Sequence, residues 1–215
     1  GGGNDATARL VTTRLPETFE AHAKAQGFRQ NFKLYSTDEE YNGGQINAVL
    51  GNRHDKLAWF AGVNHLDSKG HPMSFATSAV STTAGGGGDT AVTGAHQDRD
   101  ANGNGRVVFG ATGIDHTVQD NFKLKLTYDI TSALRASYLL GYWQNDSDVT
   151  VQSYLRDAAG NPVYSGNVNI GGFKYTLATS AFQPSKRTEE HWMHGLSLKT
   201  GTKGEWDFEA AVTYY

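Results

Sequence analysis

Residues 121–145 read NFKLKLTYDITSALRASYLLGYWQN, and this stretch decides the fold class. Its first half alternates large apolar residues, from Phe122 to Tyr128, with polar and charged ones, which is the period of a β-strand with one apolar face. A short break at 130–133 separates this strand from a second one, which begins at Leu134 and alternates in the same way. The stretch therefore predicts two neighbouring strands of an antiparallel sheet.

The length of the two predicted strands is unusual for a globular protein. Each has about ten residues or more, where an ordinary strand has about five or six. A strand that crosses a bilayer needs about nine to eleven residues, and in a transmembrane barrel lipid-facing apolar residues alternate with lumen-facing polar ones. Aromatic residues also fall near the ends of these strands, as in an interfacial girdle. An antiparallel sheet of a soluble sandwich or of a lipocalin-like barrel, with one face exposed to solvent, would account for this hairpin as well.

The composition narrows the possible classes of protein. The 215 residues include 26 glycines and no cysteine, and the net charge is -3. No stretch approaches the roughly 18 apolar residues of a membrane helix, so a membrane protein with this sequence would be a barrel. The lack of cysteine excludes disulfides and thiolate sites, and no basic patch indicates nucleic acid. The start of the chain has no signal-peptide pattern, so we expect a mature, trimmed or partial chain.

The same period of two recurs along the chain and defines its organisation. Further strands are predicted at 18–27, 45–53, 57–67, 107–114, 191–200 and 205–215, and the polar stretch 36–44 is predicted as a turn. Tight turns are expected at 54–56, 130–133 and 201–204, all at one end of the sheet. Long irregular connections are expected at the other end, at 68–106 and 146–190.

This asymmetry between the two ends is typical of outer-membrane barrels, which have short periplasmic turns and long extracellular loops. Gly85–Gly88 lie within the first long connection, and we expect their deletion to leave the barrel intact. The alternation also assigns each side chain to a face. The side chains expected at lipid or its interfaces are Phe19, Trp59, Tyr128, Tyr138, Trp206 and Tyr214. Those expected in the lumen are Lys123, Lys125, Arg135, Asp207 and Glu209.

One segment has the beginning of a calcium-binding pattern. DRDANGNG places Asp98, Asp100 and Asn102 at alternate positions, followed by Gly103. The twelfth position of such a loop is Phe109, where a bidentate glutamate would be needed. A flexible polar loop is therefore the favoured interpretation.

Other candidate sites are equally weak. His191 and His194 lie beside two glutamates, but residues three apart on a strand point to opposite faces, which argues against zinc or iron. Asp207 and Glu209 would share a face and could form a carboxylate pair, although a solvated lumenal pair is the favoured interpretation. No hydrolase, metalloprotease or phosphate-loop motif occurs. We therefore predict no catalytic, cofactor-binding or metal-ligating residue, and no enzymatic activity.

Four segments resemble TonB-dependent outer-membrane receptors. NDATARLVTTRLPETFEAHAKAQ, from Asn4, is similar to the passage in which the last plug strand leads into the first barrel strand. NAVLGNRHDKLAWFAGVNHLDSKGHP, from Asn47, resembles the second and third barrel strands with their short turn. ATGIDHTVQDNFKLKLTYDIT and LRASYLLGYWQND, from Ala111 and Leu134, are similar to the next pair.

This resemblance implies a 22-stranded antiparallel transmembrane barrel around a plug, importing a scarce ligand such as a ferric siderophore. TonB, ExbB and ExbD would supply the energy, and the lipid bilayer and lipopolysaccharide would surround the barrel. Only about seven long strands are expected here, without a TonB box or a complete plug. Residues 1–16 would then be the end of the plug, and residues 17–215 the N-terminal portion of the barrel. The connections 68–106 and 146–190 are the candidate ligand-contacting regions.

Two other classes of function remain open at this point. A complete small barrel of about eight strands, acting as a passive pore or structural protein, predicts that the strand at Thr18 pairs with the one ending at Tyr215. A soluble secreted β protein with enzymatic or carbohydrate-binding function predicts polar residues on the face that we assign to lipid.

Overall fold

The computed structural model describes residues 15–202, 204 and 206–215. The prediction for residues 1–16 therefore lies almost entirely outside the described residues. The described part is β-structure with one short 3-10 turn at Thr179–Ala181. None of its residues forms a helix that is long and apolar enough to span a membrane.

The strands follow one another along the chain with short breaks. In chain order they are β1 (Glu20–Leu34), β2 (Thr37–His54), β3 (Leu57–Lys69), β4 (Ser74–Ala79), β5 (Thr90–Ala91), β6 (His96–Arg99), β7 (Gly105–Asp129), β8 (Leu134–Ser153), β9 (Gly166–Ile170), β10 (Phe173–Leu177), β11 (Ser185–Thr200) and β12 (Glu209–Tyr214).

Seven of these strands form the path of the main sheet, in the order β1-β2-β3-β7-β8-β11-β12. Every neighbouring pair on this path is antiparallel. β4 and β6 also pair with β7, at its upper part, which is the end that begins at Gly105. The prediction of an all-β antiparallel sheet is therefore confirmed. Among the described residues β1 pairs only with β2 and β12 only with β11, so the sheet is open and no closed barrel is observed.

The prediction of a turn at 36–44 is wrong, because these residues belong to β2. The hairpin turn is formed by Tyr35 and Ser36, and the ladder runs from Leu34 opposite Thr37 onward. The glycine-rich part stays in the sheet because the Phe28 ring covers Gly43, where a Cβ would lie 2.2 Å from Phe28 Cε2. An aromatic side chain over a glycine supplies the packing that the glycine itself lacks.

The two long connections are not irregular, which corrects a second prediction. Residues 70–104 and 154–184 together form a compact unit, here called the cap, which contains β4, β5, β6, β9 and β10. β10, β9 and β5 make a small three-stranded sheet. The buried core of the cap includes residues of upper β7 and consists of Ala76, Val92, Val107, Phe109, Leu155, Val168, Tyr175, Leu177 and Phe182.

Strand boundaries also differ from the prediction at three places. β7 extends from Gly105 to Asp129 and joins into one strand the two strands predicted at 107–114 and from residue 121. β11 begins at Ser185 rather than at residue 191, and β12 begins at Glu209 rather than at 205. A bulge between Ala111 and Ile114 separates the regular lower part of β7 from its upper part, which pairs with the cap.

Candidate functional site: the two faces of the main sheet

Below the bulge in β7, the register of the main sheet lines up side chains in rows. Residues directly opposite each other on neighbouring strands point to the same face. One row consists of Ala23, Ala48, Val63, Phe122, Tyr142 and Trp192. The next row toward the turn at 130–133 consists of Ala21, Leu50, Ala61, Leu124, Leu140, His194 and Tyr214. We call this side of the sheet the apolar face.

The apolar face is the exposed side of the sheet. Val63 is 50% exposed, Leu196 57% and Val212 64%, and all three lie on this face. On the opposite side, here called the polar face, the polar residues Thr127 and Asn145 are 2% and 7% exposed, beside the buried apolar residues Ala58 and Phe60. The exposure of large apolar side chains along one whole side of a sheet is unusual for a soluble protein.

The upper border of the apolar face is sharp. In the row above Trp192 the side chains are His65, Asp120, Gln144 and Glu190 on the central strands. The Trp192 indole Nε1 donates a hydrogen bond to Glu190 Oε1 over 2.7 Å. The Tyr142 hydroxyl donates one to Gln144 Oε1, also over 2.7 Å. Each ring therefore lies in the apolar zone while its polar atom bonds to the polar row, which is the usual arrangement of Trp and Tyr at a membrane interface.

The apolar zone also runs obliquely across the sheet. On β1 it is centred on Ala23, in the row of Trp192, whereas on β12 its midpoint is Val212, in the row of Leu196 and four residues lower along the strand direction. A displacement of about 14 Å over six interstrand steps of about 4.8 Å corresponds to a slope of about 25°. A horizontal band on tilted strands produces such a slope, and transmembrane strands tilt by about 35–45°.

The polar face carries the charged residues that were predicted for the lumen. Lys123, Lys125 and Arg135 all lie on it. Near the turn at 130–133, Asp129 accepts hydrogen bonds from Arg135 Nε over 2.6 Å and from Arg53 Nη1 over 2.8 Å. These pairs form a network of alternating charges at this end of the sheet.

The predicted lipid-facing aromatic residues are placed as follows. Trp59, Tyr128 and Tyr138 lie on the apolar face of β3, β7 and β8, which are neighbouring strands in the main sheet. Tyr214 lies on the same face of β12. Phe19 and Trp206 precede β1 and β12, and they are 64% and 84% exposed.

Asp207 and Glu209, the candidate carboxylate pair, bind to different partners in the structure. Asp207 precedes β12, and its Oδ1 accepts a hydrogen bond from the Thr202 backbone N–H over 2.8 Å. Glu209 instead lies 3.1 Å from Lys199 Nζ, measured from its Oε2 atom. Each carboxylate therefore has its own structural partner.

The two histidines of β11 point to opposite faces, as predicted. His191 stacks on Trp143, with ring centroids 5.3 Å apart, on the polar face. His194 Nδ1 lies 2.9 Å from the Tyr138 hydroxyl on the apolar face. Among the described residues, no group of three or more His, Asp or Glu side chains is suited to hold a metal ion.

The calcium-like segment is a hairpin turn, and its carboxylates are already bonded within the protein. Asp98 Oδ2 accepts hydrogen bonds from the Tyr35 hydroxyl and from Arg106 Nη2, each over 2.6 Å. These bonds, with the one from Tyr35 the largest cause, lower the pKa of Asp98 to about 2. Asp100 Oδ1 accepts hydrogen bonds from the backbone N–H groups of Asn102 and Asn104, both over 2.8 Å.

The same turn occurs a second time in the cap, at 157–161. Asp157 Oδ1 accepts hydrogen bonds from the backbone N–H groups of Ala159 and Asn161 over 2.9 and 2.8 Å. Gly160 has φ +85, like Gly103 with φ +83 in the first turn. The repeated pattern D-A-x-G-N therefore specifies a hairpin turn, in which the aspartate bonds to the backbone.

Comparison of the chain with protein-family models, with curated proteins and with solved structures finds no match.

Proposed function

We propose that this chain forms part of the wall of an outer-membrane β-barrel receptor of the TonB-dependent type. The receptor imports a scarce ligand, such as a ferric siderophore, with energy delivered by TonB, ExbB and ExbD, and it catalyses no reaction. The observation that carries this proposal is the exposed apolar face, which extends over the whole width of the main sheet.

Lipid hydrocarbon is the covering that fits the apolar face best. None of the described residues packs over its most exposed side chains, such as Leu196 and Val212. The zone from Phe122 to Tyr128 spans about 20–24 Å along the strand, and on a strand tilted by about 40° it would cover about 15–18 Å of the roughly 25 Å apolar band of outer-membrane barrels. The polar row at its upper border would lie at the level of the headgroups, in contact with lipopolysaccharide.

The direction of the edge strands favours a larger barrel over a small closed one. Seven antiparallel strands on one path leave β1 and β12 running in the same direction. Direct closure would therefore create a parallel pair, whereas single-chain bacterial barrels have an even number of antiparallel strands. This geometry supports a wall that requires an odd number of further strands.

The first described residues support the proposal that a plug precedes the barrel. Pro16 is buried on the polar face, where a Cβ on Gly51 would lie 2.7 Å from Pro16 Cγ. Glu17 Oε2 lies 3.0 Å from Arg53 Nε on the same face. The chain thus reaches β1 from the side that would be the lumen, as the link from a lumenal plug would.

The cap lies at the end of the sheet that we propose to be extracellular. It contains residues from both candidate ligand-contacting connections, joined by a shared hydrophobic core. A ligand arriving from outside would therefore meet a folded surface rather than two independent flexible loops.

The proposal is tested by the intact mass of the native protein and by ligand uptake. We expect a mass several times 23.3 kDa in outer-membrane fractions. We also expect iron-limited cells to lose uptake of a labelled ferric siderophore when the gene or the proton gradient is removed. A mass near 23.3 kDa would favour the small closed barrel, and unchanged uptake would contradict a role in import.

A further inference from the structure

We propose that the polar face carries a binding site for an uncharged ligand rich in hydroxyl and carbonyl oxygens. The site is a belt of amide side chains directly above Lys123, and we call it the amide belt. It consists of Gln26, Gln45, Asn47, Asn64, Gln119, Asn121 and Asn145. The inference rests on the proposed function, because it places the belt in the lumen of a barrel.

The amide belt is defined by the strand register. One row of the polar face runs through Lys24, Asn47, Asn64, Asn121, Trp143 and His191. The adjacent row runs through Gln26, Gln45, Leu66, Gln119, Asn145 and Glu189. Amides thus occupy seven of these twelve positions. On the apolar face between the two rows lie Ala25, Ile46, His65, Asp120, Gln144 and Glu190, with one amide among six.

Four amides of the belt form hydrogen bonds with one another across neighbouring strands. Gln26 Nε2 donates to Gln45 Oε1 over 2.9 Å, and Asn64 Nδ2 donates to Asn47 Oδ1. No side-chain hydrogen bond joins Gln119, Asn121 or Asn145 to another of the described residues. These three are neighbours on β7 and β8, where Gln119 lies opposite Asn145. Gln119 and Asn121 are half-buried and can contact a ligand directly, whereas Asn145 is only 7% exposed and lies behind them.

The chemistry of the three unbonded amides determines the class of ligand. A primary amide offers two N–H donors and a carbonyl acceptor with two lone pairs, and it carries no charge. Hydroxyl groups also donate and accept, and carbonyl oxygens accept, so several of them on one small frame match a row of amides. Lys123 lies one row below and adds a donor, and no carboxylate of the described residues forms an ion pair with it. An oligosaccharide and a neutral iron(III) trihydroxamate complex both present this pattern of oxygens.

The test is isothermal titration of the full-length native protein in detergent with two probes, maltotriose and the iron(III) complex of a trihydroxamate chelator. We expect one probe to bind, and the double variant Gln119→Ala/Asn121→Ala to weaken its binding by about tenfold or more, as loss of two or more hydrogen bonds would. Gln144→Ala is the matched control, because Gln144 lies on the apolar face in the row between those of Gln119 and Asn121, and it should leave binding unchanged. The probe that binds shows whether the ligand is an oligosaccharide or a neutral iron(III) hydroxamate complex.

Two results would overturn the inference. One is that neither probe binds the wild-type protein, and the other is that the double variant binds as tightly as the wild type. Membrane insertion and energised uptake are measured separately on the same samples. If the protein inserts into membranes and supports uptake but the titration fails, the amide belt is not a ligand site and the proposed function stands. If insertion and uptake are also absent, both the amide belt and the proposed function are wrong.

Discussion

At the scale of single residues, the apolar face is where one substitution has the clearest consequence. Leu126 lies on β7 between Trp59 and Tyr138, which are directly opposite it on the two neighbouring strands. Lys125 is its neighbour in sequence and points to the polar face. The two positions therefore form an internal comparison of lipid-facing and lumen-facing sites.

Leu126→Arg should prevent assembly into the outer membrane, because an arginine on the lipid face near the bilayer midplane costs about 2–4 kcal/mol. Lys125→Gln should assemble normally, since it keeps a polar side chain on the polar face. Assembly is measured as the fraction of full-length protein in washed outer membranes. Equal recovery of the two variants would refute the assignment of the faces.

Asp98 gives a prediction of pH dependence that is independent of the membrane. Its pKa is lowered to about 2 in the folded protein, from about 3.9 in an unfolded chain. A lowered pKa means that the ionised form stabilises the fold, so its contribution is complete above about pH 4 and is lost as the pH falls toward 2. Asp98→Asn should therefore lower the melting temperature of the protein at pH 7, and its difference from the wild type should shrink between pH 4 and pH 2.

Thermal melting in detergent at several pH values checks this prediction. Asp38→Asn serves as a control on the exposed β1–β2 hairpin, where the Asp38 carboxylate pairs with Lys33 at the surface. A constant difference between wild type and Asp98→Asn across this pH range would show that Asp98 does not stabilise the fold through its charge.

At the scale of elements, the long regular strands could be predicted from the sequence and the cap could not. The strands below the bulge alternate apolar and polar residues over many positions, so their faces follow from a period of two. The cap has no such period, because its core joins residues far apart in the chain, such as Val92, Leu155 and Val168. Upper β2 was missed for a different reason, since Gly43, one of the two glycines that suggested a turn, is covered by the Phe28 ring.

The amide belt was missed although its signal is present in the sequence. Each amide occurs on a strand at a polar position of the alternation, as Gln119 and Asn121 do on β7. Their proximity depends on the register between five strands, and one sequence does not specify that register at the level of single residues.

Gly85–Gly88 give a prediction at the element scale. Gly85 N–H donates to the Gly172 carbonyl over 2.8 Å, and Gly86 N–H donates to Asp89 Oδ2 over 2.7 Å. The Asp89 side chain is only 6% exposed and lies 3.5 Å from Lys174 Nζ. The segment therefore anchors its connection to β10 in the cap.

Deleting Gly85–Gly88 should loosen the cap but leave the main sheet assembled, in agreement with the expectation from the sequence. Limited proteolysis of intact cells should cut the variant between residues 70 and 104 faster than the wild type, while its membrane recovery stays unchanged. A variant that fails to reach the membrane would show that the cap is needed for assembly of the main sheet.

At the scale of the whole molecule, one sheet presents two different faces. One side is apolar and exposed, with aromatic rings at its upper border, and the opposite side carries charges and amides. A soluble protein would bury the first side and expose the second. The arrangement is explained if hydrocarbon covers the apolar face and the polar face lines a lumen, as in transmembrane barrels.

The most direct test of this claim is a cysteine scan of 120–130 with spin labels, which the absence of cysteine from residues 1–215 favours. Collision rates of each label with oxygen, which partitions into lipid, and with a water-soluble nickel complex are measured in reconstituted vesicles. We predict that labels at 122, 124, 126 and 128 collide mainly with oxygen, and that labels at 123, 125 and 127 collide mainly with nickel. Equal access of nickel to both sets, without a period of two, would contradict the assignment of the apolar face to lipid.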